Sequence, residues 1–232
     1  MVSLRKIKGL PIQCKKMSGS SLPRDLSGLP NSRLSTRLAA MIAPDVLLQG
    51  YRLGVFPMAM DDGSIEWFSP DPRGILPLET FHVPDTLQRV IRKGVFEVRI
   101  NTSFREVMRR CAKRPETWIN REIIESYTRL HELGSAHSVE TWRDGKLAGG
   151  LYGVSAGGAF FGESMFHDVT DASKVALHAL VERMRARRFT LLDTQWRTPH
   201  LERFGAIEIT RREYMYRLTR ALALSRKFAD DD

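Results

Sequence analysis

Cysteine is nearly absent from this chain. Two in 232 residues, Cys14 and Cys111, exclude a disulfide framework and point to a reducing compartment, the cytoplasm. The six histidines are scattered, and none stands at ligand spacing from a cysteine or another histidine, so no metal site is expected. No apolar run approaches the roughly 20 residues of a membrane span. The longest, such as 147–154, are short and broken by glycines, so no membrane partner is expected. Acids are scarce at one end: residues 1–43 hold eight Lys/Arg against Asp25 alone. That stretch is rich in Ser, Pro and Gly and lacks the apolar core of a secretory signal. Such a composition reads as a disordered basic leader, and a transit peptide or a true start at Met41 would look the same.

The net charge of +9 sits mostly in that leader. The remainder is close to balance, so any polyanion site on the folded body must be a local patch. One segment qualifies: residues 88–114 carry nine Lys/Arg against two acids. Arg89, Arg92, Lys93, Arg105 and Arg109 in it are the expected contacts to nucleic-acid phosphates, which position a ligand without reading sequence. A merely solvated face is the alternative.

Hydrophobic 42% content in 232 residues suffices for one sizeable domain with a small annex. Residues 44–80 are loop-rich and form a small amino-terminal lobe, whose one helix, 45–53, carries Val46, Leu47 and Tyr51 on a common side. The main domain, 81–225, begins with a helix over 84–93 stopped by Gly94, and a strand over 95–100. Ser103-x-x-Glu106 predicts a capping box. Asn120 caps a second helix, closed at Gly134. Residues 137–142 and 147–154 predict a hairpin about Arg143-Asp144-Gly145-Lys146. A strand over 159–166, a long helix from Asp171 or Ser173, and a buried strand over 189–194 follow. Thr210-x-x-Glu213 opens the last helix, to residue 224, and 226–232 reads as a tail. This order suits a mixed sheet flanked by helices, of α/β or α+β class.

Several strings resemble the signature of bacterial leucyl/phenylalanyl-tRNA–protein transferases. They are Trp67-Phe68-Ser69-Pro70-Asp71-Pro72-Arg73, Thr117-Trp118-Ile119, Leu130-His131-Glu132-Leu133-Gly134, Ala136-His137-Ser138-Val139-Glu140, Gly149-Gly150-Leu151-Tyr152-Gly153-Val154, Gly162-Glu163-Ser164-Met165-Phe166, Ala172-Ser173-Lys174 and Asp193-Thr194-Gln195. They stand in the family's order and spacing across residues 45–220. Departures are Met58 and Phe68, where the family more often has Trp, and Thr194, where it often has Cys. The resemblance implies a Gcn5-related acetyltransferase-like catalytic domain that moves Leu or Phe, and possibly Met, from aminoacyl-tRNA to the α-amine of proteins beginning with Arg or Lys. Such proteins are thereby marked for degradation. It implies no cofactor beyond the tRNA substrate, and a monomer is the default.

The implied reaction is aminolysis of an ester already activated by its tRNA, and it needs orientation, a proton acceptor and oxyanion stabilisation. By resemblance, Asp193 polarises Gln195, and Gln195 contacts the attacking amine. An amide is a poor base, so Gln195 is expected to orient, with Asp193 and the substrate handling the proton. Glu163, among Phe160, Phe161 and Phe166, is costly to bury alone; it either holds a cationic amine or pairs with an arginine such as Arg73. Met165, Phe160, Leu151 and Val154 are expected to line the aminoacyl pocket, or else belong to the ordinary core. Trp118, Tyr127, Met58 and Trp67 are implied around the terminal adenosine, with Tyr127 equally readable as core. Asp61, Asp62, Glu66, Asp168 and Asp171 are acids that favour a cationic acceptor. His137 and His200 read as structural hydrogen-bonders.

Two rivals remain at this point. A coenzyme A-dependent N-acetyltransferase needs a glycine-rich loop for pyrophosphate, whereas residues 167–171 hold no glycine and two acids. A non-catalytic RNA-binding protein would use the basic segment and leave Glu163, Asp193 and Gln195 without a task.

Overall fold

The computed structural model describes residues 14–16 and 41–230. Apart from strand β1 (Cys14–Lys16), the leader, and with it the reading of residues 1–40, lies outside the described residues. The amino-terminal part holds helix α1 (Pro44–Arg52) and strands β2 (Phe56–Ala59), β3 (Ile65–Pro70) and β4 (Arg73–Ile75). Then come α2 (Asp85–Arg92), β5 (Glu97–Ile100), α3 (Phe104–Cys111), α4 (Arg121–Glu132), β6 (Ala136–Arg143), β7 (Lys146–Ala156) and β8 (Ala159–His167). The chain closes with α5 (Ala172–Ala186), β9 (Leu191–Gln195), the single turn α6 (Pro199–Glu202), β10 (Ile207–Ile209) and α7 (Arg211–Leu222).

Strands β1, β3 and β2 form a small antiparallel sheet, and the other seven form a mixed sheet in the order β10-β4-β9-β8-β7-β6-β5. Every neighbouring pair in the large sheet is antiparallel except β8–β9. That parallel pair needs a crossover, which α5 supplies. Helices cover both faces. Leu47, Tyr51, Val107, Tyr127, Tyr152, Val154 and Leu218 share one core between the sheet and α1, α3, α4 and α7. Leu87, Leu151, Phe160, Leu177, Leu180 and Leu192 share the other, under α2 and α5. Burial on both faces explains why β7 reads as an apolar, glycine-rich run without polar alternation. Gly149 is part of that fit: a Cβ there would lie 2.6 Å from the Ala172 Cβ at the start of α5.

The element order expected from residue 84 onward matches the fold, with α6 as an addition. The hairpin turn sits where the sequence placed it, with Asp144 (φ 51°) and Gly145 (φ 71°) both left-handed. Asn120 Oδ1 accepts from the Ile123 amide at 2.9 Å, and Thr210 Oγ1 from the Glu213 amide at 3.3 Å. Replacing Asn120 with Ala is expected to cost about 1 kcal/mol, read from the urea midpoint, since one first-turn amide of α4 loses its acceptor.

Two expectations need correction. Ser103 forms no side-chain cap. Glu140 reaches across from β6 and accepts from the Ser103 amide (2.8 Å) and the Thr102 hydroxyl, replacing the capping box with a longer-range one. Residues 226–230 are docked, not trailing: Phe228 is buried against Phe160, Phe189 and His137, and Arg183 donates to its carbonyl at 2.7 Å. The small lobe read over 44–80 has no core of its own: β4 lies within the large sheet, and Phe56, Met58 and Phe68 lie in the core of the main domain.

Candidate active site

The parallel pairing of β8 with β9 lasts only from Ala159–Leu191 to Phe161–Asp193. Beyond it, β9 is paired with β4, Gly74 opposite Gln195. Gly162 and Glu163 on one arm and Thr194 and Gln195 on the other therefore flank a parting of strands near the middle of the sheet. Alternation sends Asp193 and Gln195 to one face, as expected, and Glu163 meets them there. Gln195 Nε2 donates to Glu163 Oε1 at 3.1 Å.

Asp193 is fully buried and fully engaged. Arg73 grips it in bidentate fashion, Nε to Oδ1 at 3.0 Å and an Nη to Oδ2 at 2.7 Å. Tyr214 donates its hydroxyl to Oδ2 at 2.6 Å, and the Gln195 amide donates to Oδ1 at 2.9 Å. The arginine is 1% exposed and lies between the rings of Phe56 and Tyr214, 5.1 and 4.5 Å from their centroids. The geometry corrects two expectations. Arg73 pairs with Asp193, not with Glu163. Asp193 touches the main chain of Gln195, not its amide side chain, and has no free face for a proton in transit. It holds Gln195 in a left-handed conformation, φ 57°, which is uncommon for a non-glycine residue. Gly74 is required beside it, because a Cβ there would meet the Trp196 carbonyl carbon at 2.3 Å.

Glu163 has a different environment. Removal from water pushes its carboxyl up to about 8. Hydrogen bonds from Tyr51 and Tyr127 and the charge of Arg73 pull it down, and the Asp193 charge pushes it up, but desolvation dominates. The two tyrosine hydroxyls are also bonded to each other. In the sequence Tyr51 reads as a helix face and Tyr127 as either core or a neighbour of the terminal adenosine; neither is paired there with Glu163.

The remaining predicted residues divide. Leu151, Phe160 and Met165 gather on the face under α5, whereas Val154 lies in the opposite core, so the four share no wall. The cause is alternation: Leu151 and Val154 stand three residues apart on β7 and so point to opposite faces. The shift at which β8 carries the extra residue Glu163 brings Phe160 and Met165 to one face. Tyr127 and Met58 are enclosed in the core, 0% and 4% exposed, and present no ring or thioether to a base. Trp67 and Trp118 keep partial exposure. Trp67 lies flat on Gly50, and the Trp118 carbonyl accepts from the Ala59 amide at 3.1 Å. The basic segment does not form one patch: Arg89 and Arg92 belong to α2, and Lys93 caps it, in the α5 layer, whereas Arg105 and Arg109 belong to α3 across the sheet. Arg105 is paired with Glu125, and Arg109 stands 4.0 Å from Glu106. His137 is a structural hydrogen-bonder, 3.1 Å from Asn101 and 3.0 Å from Ser155, and burial pushes it down to about 3. His200 differs from expectation, its Nε2 being buried without a hydrogen-bond partner among the described residues.

Near the far end of β8 opens a cleft of about 420 Å³, lined by Arg110, Lys113, Arg114, Met165, His167 and Ser173 among others. The two acids of the 167–171 connection do not leave it negative. Asp168 is paired with Arg110, and Asp171 with Lys174 at 2.6 Å.

A buried carboxyl pushed up by desolvation, bonded to the Gln195 amide and two strand positions from a basic cleft, marks a candidate site for proton transfer. Comparison with known proteins gives the family. Residues 75–219 match the family described as leucyl/phenylalanyl-tRNA protein transferase, and residues 40–71 match the amino-terminal domain of the same family. The leucyl/phenylalanyl-tRNA–protein transferase of Herpetosiphon aurantiacus is 56% identical over 188 residues, covering 81% of this chain and 98% of that protein. Those of Gloeobacter violaceus (56% over 188 residues, 81% and 97%) and Rubrobacter xylanophilus (54% over 189 residues, 81% and 99%) are similarly close. The chain belongs to the leucyl/phenylalanyl-tRNA–protein transferase family.

Proposed function

We propose that this chain transfers Leu or Phe from its tRNA to the α-amine of proteins beginning with Arg or Lys, in the cytoplasm, and that Glu163 moves the proton. The carrying observation is the Glu163 carboxyl at about 8, against an α-amine pKa of about 7.7–8.0. Matched values let the proton pass either way at little cost. The Glu163 carboxylate takes a proton from the acceptor's ammonium. Glu163 passes that proton on to water. The neutral amine attacks the ester carbonyl and forms the C–N bond, and the Glu163 carboxylate takes the second proton that the attacking nitrogen must lose. As the C–O bond to the ribose breaks, the ribose oxygen takes that second proton from Glu163. Gln195 spends its Nε2 on Glu163, so its Oε1 is the acceptor that orients an amine N–H. Asp193 is then a positioning residue.

The fold reading is Gcn5-related acetyltransferase-like. It is supported by the lone parallel pair β8–β9, its crossover helix, and the parting of those strands at the site. The preference for a cationic acceptor is supported by the hairpin of β2 and β3, which carries Asp61, Asp62 and Glu66 and packs Phe56 on Trp196 beside Gln195. Trp118 and Trp67, which keep exposed surface, are the candidates for stacking on the terminal adenosine. Leu151, Phe160 and Met165 remain the candidate walls for the aminoacyl side chain.

Radiolabelled leucyl- and phenylalanyl-tRNA with peptides beginning in Arg, Lys, Asp or Glu test the reading. Label is expected in the Arg and Lys peptides. Its absence from all four, with the charged tRNA intact, defeats the assignment.

A further inference from the structure

We propose that the basic cleft at the start of α5 is a phosphate seat for the 3′ strand of the tRNA, taking the 5′-phosphate of the terminal nucleotide. This rests on the transfer reading above and adds a site to it. The cleft has the size and donors for one or two phosphates: Arg110, Lys113 and Arg114 from one wall, His167, Ser173 and His200 from the other. Lys113 has no carboxylate partner among the described residues, and its side chain is exposed. Arg114 is bound only to neutral groups, the Ser164 hydroxyl and the Met165 carbonyl, so its charge is uncompensated. His200 Nε2 is buried without a partner. Ser173 is 4% exposed, and its hydroxyl has only a 3.5 Å contact to His167. The first turn of α5 adds amides that the Asp171 side chain does not cap, where a helix favours an anion. Among the described residues Asp168 is the one carboxylate lining the cleft; Arg110 is taken up by it and by Glu106, which leaves Lys113 and Arg114 as the free cations.

Placement makes this a donor site. Glu163 and Met165 lie two residues apart on β8, about 7 Å along a strand, so a phosphate in the cleft and an ester beside Glu163 are within reach of one nucleotide. Arg114 and Trp118 share the loop between α3 and α4, which puts a phosphate donor and a partly exposed aromatic residue on one short segment. The split of the basic segment across the sheet has a use on this view: Lys113 and Arg114 serve the terminal phosphate, apart from the α2 cations.

Calorimetric titration with two amide-linked analogues tests it: 3′-phenylalanylamino-3′-deoxyadenosine with and without a 5′-phosphate. Binding does not depend on turnover, so it is separable from the transfer assay. The wild-type protein is expected to bind the phosphorylated analogue about ten- to a hundredfold more tightly, as charge-assisted hydrogen bonds do. Lys113→Glu is expected to abolish that preference while leaving affinity for the unphosphorylated analogue unchanged. Arg114→Gln is expected to reduce it. Equal affinities in the wild-type protein, absence of binding, or a preference that survives Lys113→Glu overturns the proposal. If the preference appears but peptides gain no label, the cleft stands and the acceptor reading fails.

Discussion

Asp193→Ala is expected to destabilise the fold by about 3–5 kcal/mol, the cost of leaving one member of a buried ion pair alone. Arg73, the first residue of β4, is enclosed at 1% exposure, and two of its three hydrogen-bond contacts are to this carboxylate; the third is the Gly54 carbonyl at 3.2 Å. Without Asp193 the guanidinium keeps its charge and loses its counter-charge, and Tyr214 loses its acceptor as well. Urea unfolding at pH 7 measures the loss as a lower midpoint. Removing both partners separates the pair from its orphan. Arg73→Met with Asp193→Leu is expected to recover much of the stability, because apolar groups of similar volume need no pairing. A single Asp193→Ala that costs less than about 1 kcal/mol would falsify the claim that this pair clamps β4 to β9. Activity is expected to fall in both variants, since neither holds the left-handed Gln195 in place. That outcome separates catalytic geometry from fold stability.

What could be read from the sequence was local, and what could not was long-range. Alternation placed Asp193 and Gln195 on one face, and turn chemistry placed the β6–β7 hairpin, because both are set within a few residues. Which arginine takes which carboxylate is decided across 120 positions by sheet order, and nothing in the string 193–195 points to residue 73. Ser103-x-x-Glu106 shows the same limit. A local capping box was available, and Glu140 on the neighbouring strand displaced it because β5 and β6 bring it to the helix start. The basic segment 88–114 looked continuous because charge was counted along the chain. The chain passes from one layer to the other between α2 and α3, so neighbours in sequence became groups on opposite sides of the sheet. Tyr127 was legible as core from helical spacing and was misplaced only as a stacking platform.

Glu163→Gln is expected to lower kcat by about 10²–10⁴ at pH 7, the usual contribution of a positioned proton carrier. The amide keeps the shape and can still bond Gln195, but it takes no proton from an ammonium and returns none to the ribose. The deficit is expected to narrow above pH 8, where the acceptor amine is neutral without help. Stability is expected to move the other way. The folded carboxyl titrates near 8 and the unfolded one near 4.3, so between those values the folded chain holds a proton that the unfolded chain has released. Wild-type stability therefore declines across that window as pH rises, by the part that Glu163 contributes. Glutamine does not titrate, so the variant gains on the wild type from pH 4 to pH 8. Unfolding curves for both proteins at several pH values give this difference directly, with all other groups cancelling. A glutamate kept only to satisfy its neighbours would lose activity and stability together on substitution. Loss of turnover with a pH-dependent gain in stability is what a desolvated proton carrier produces, and a variant with wild-type kcat at pH 7 removes Glu163 from the reaction.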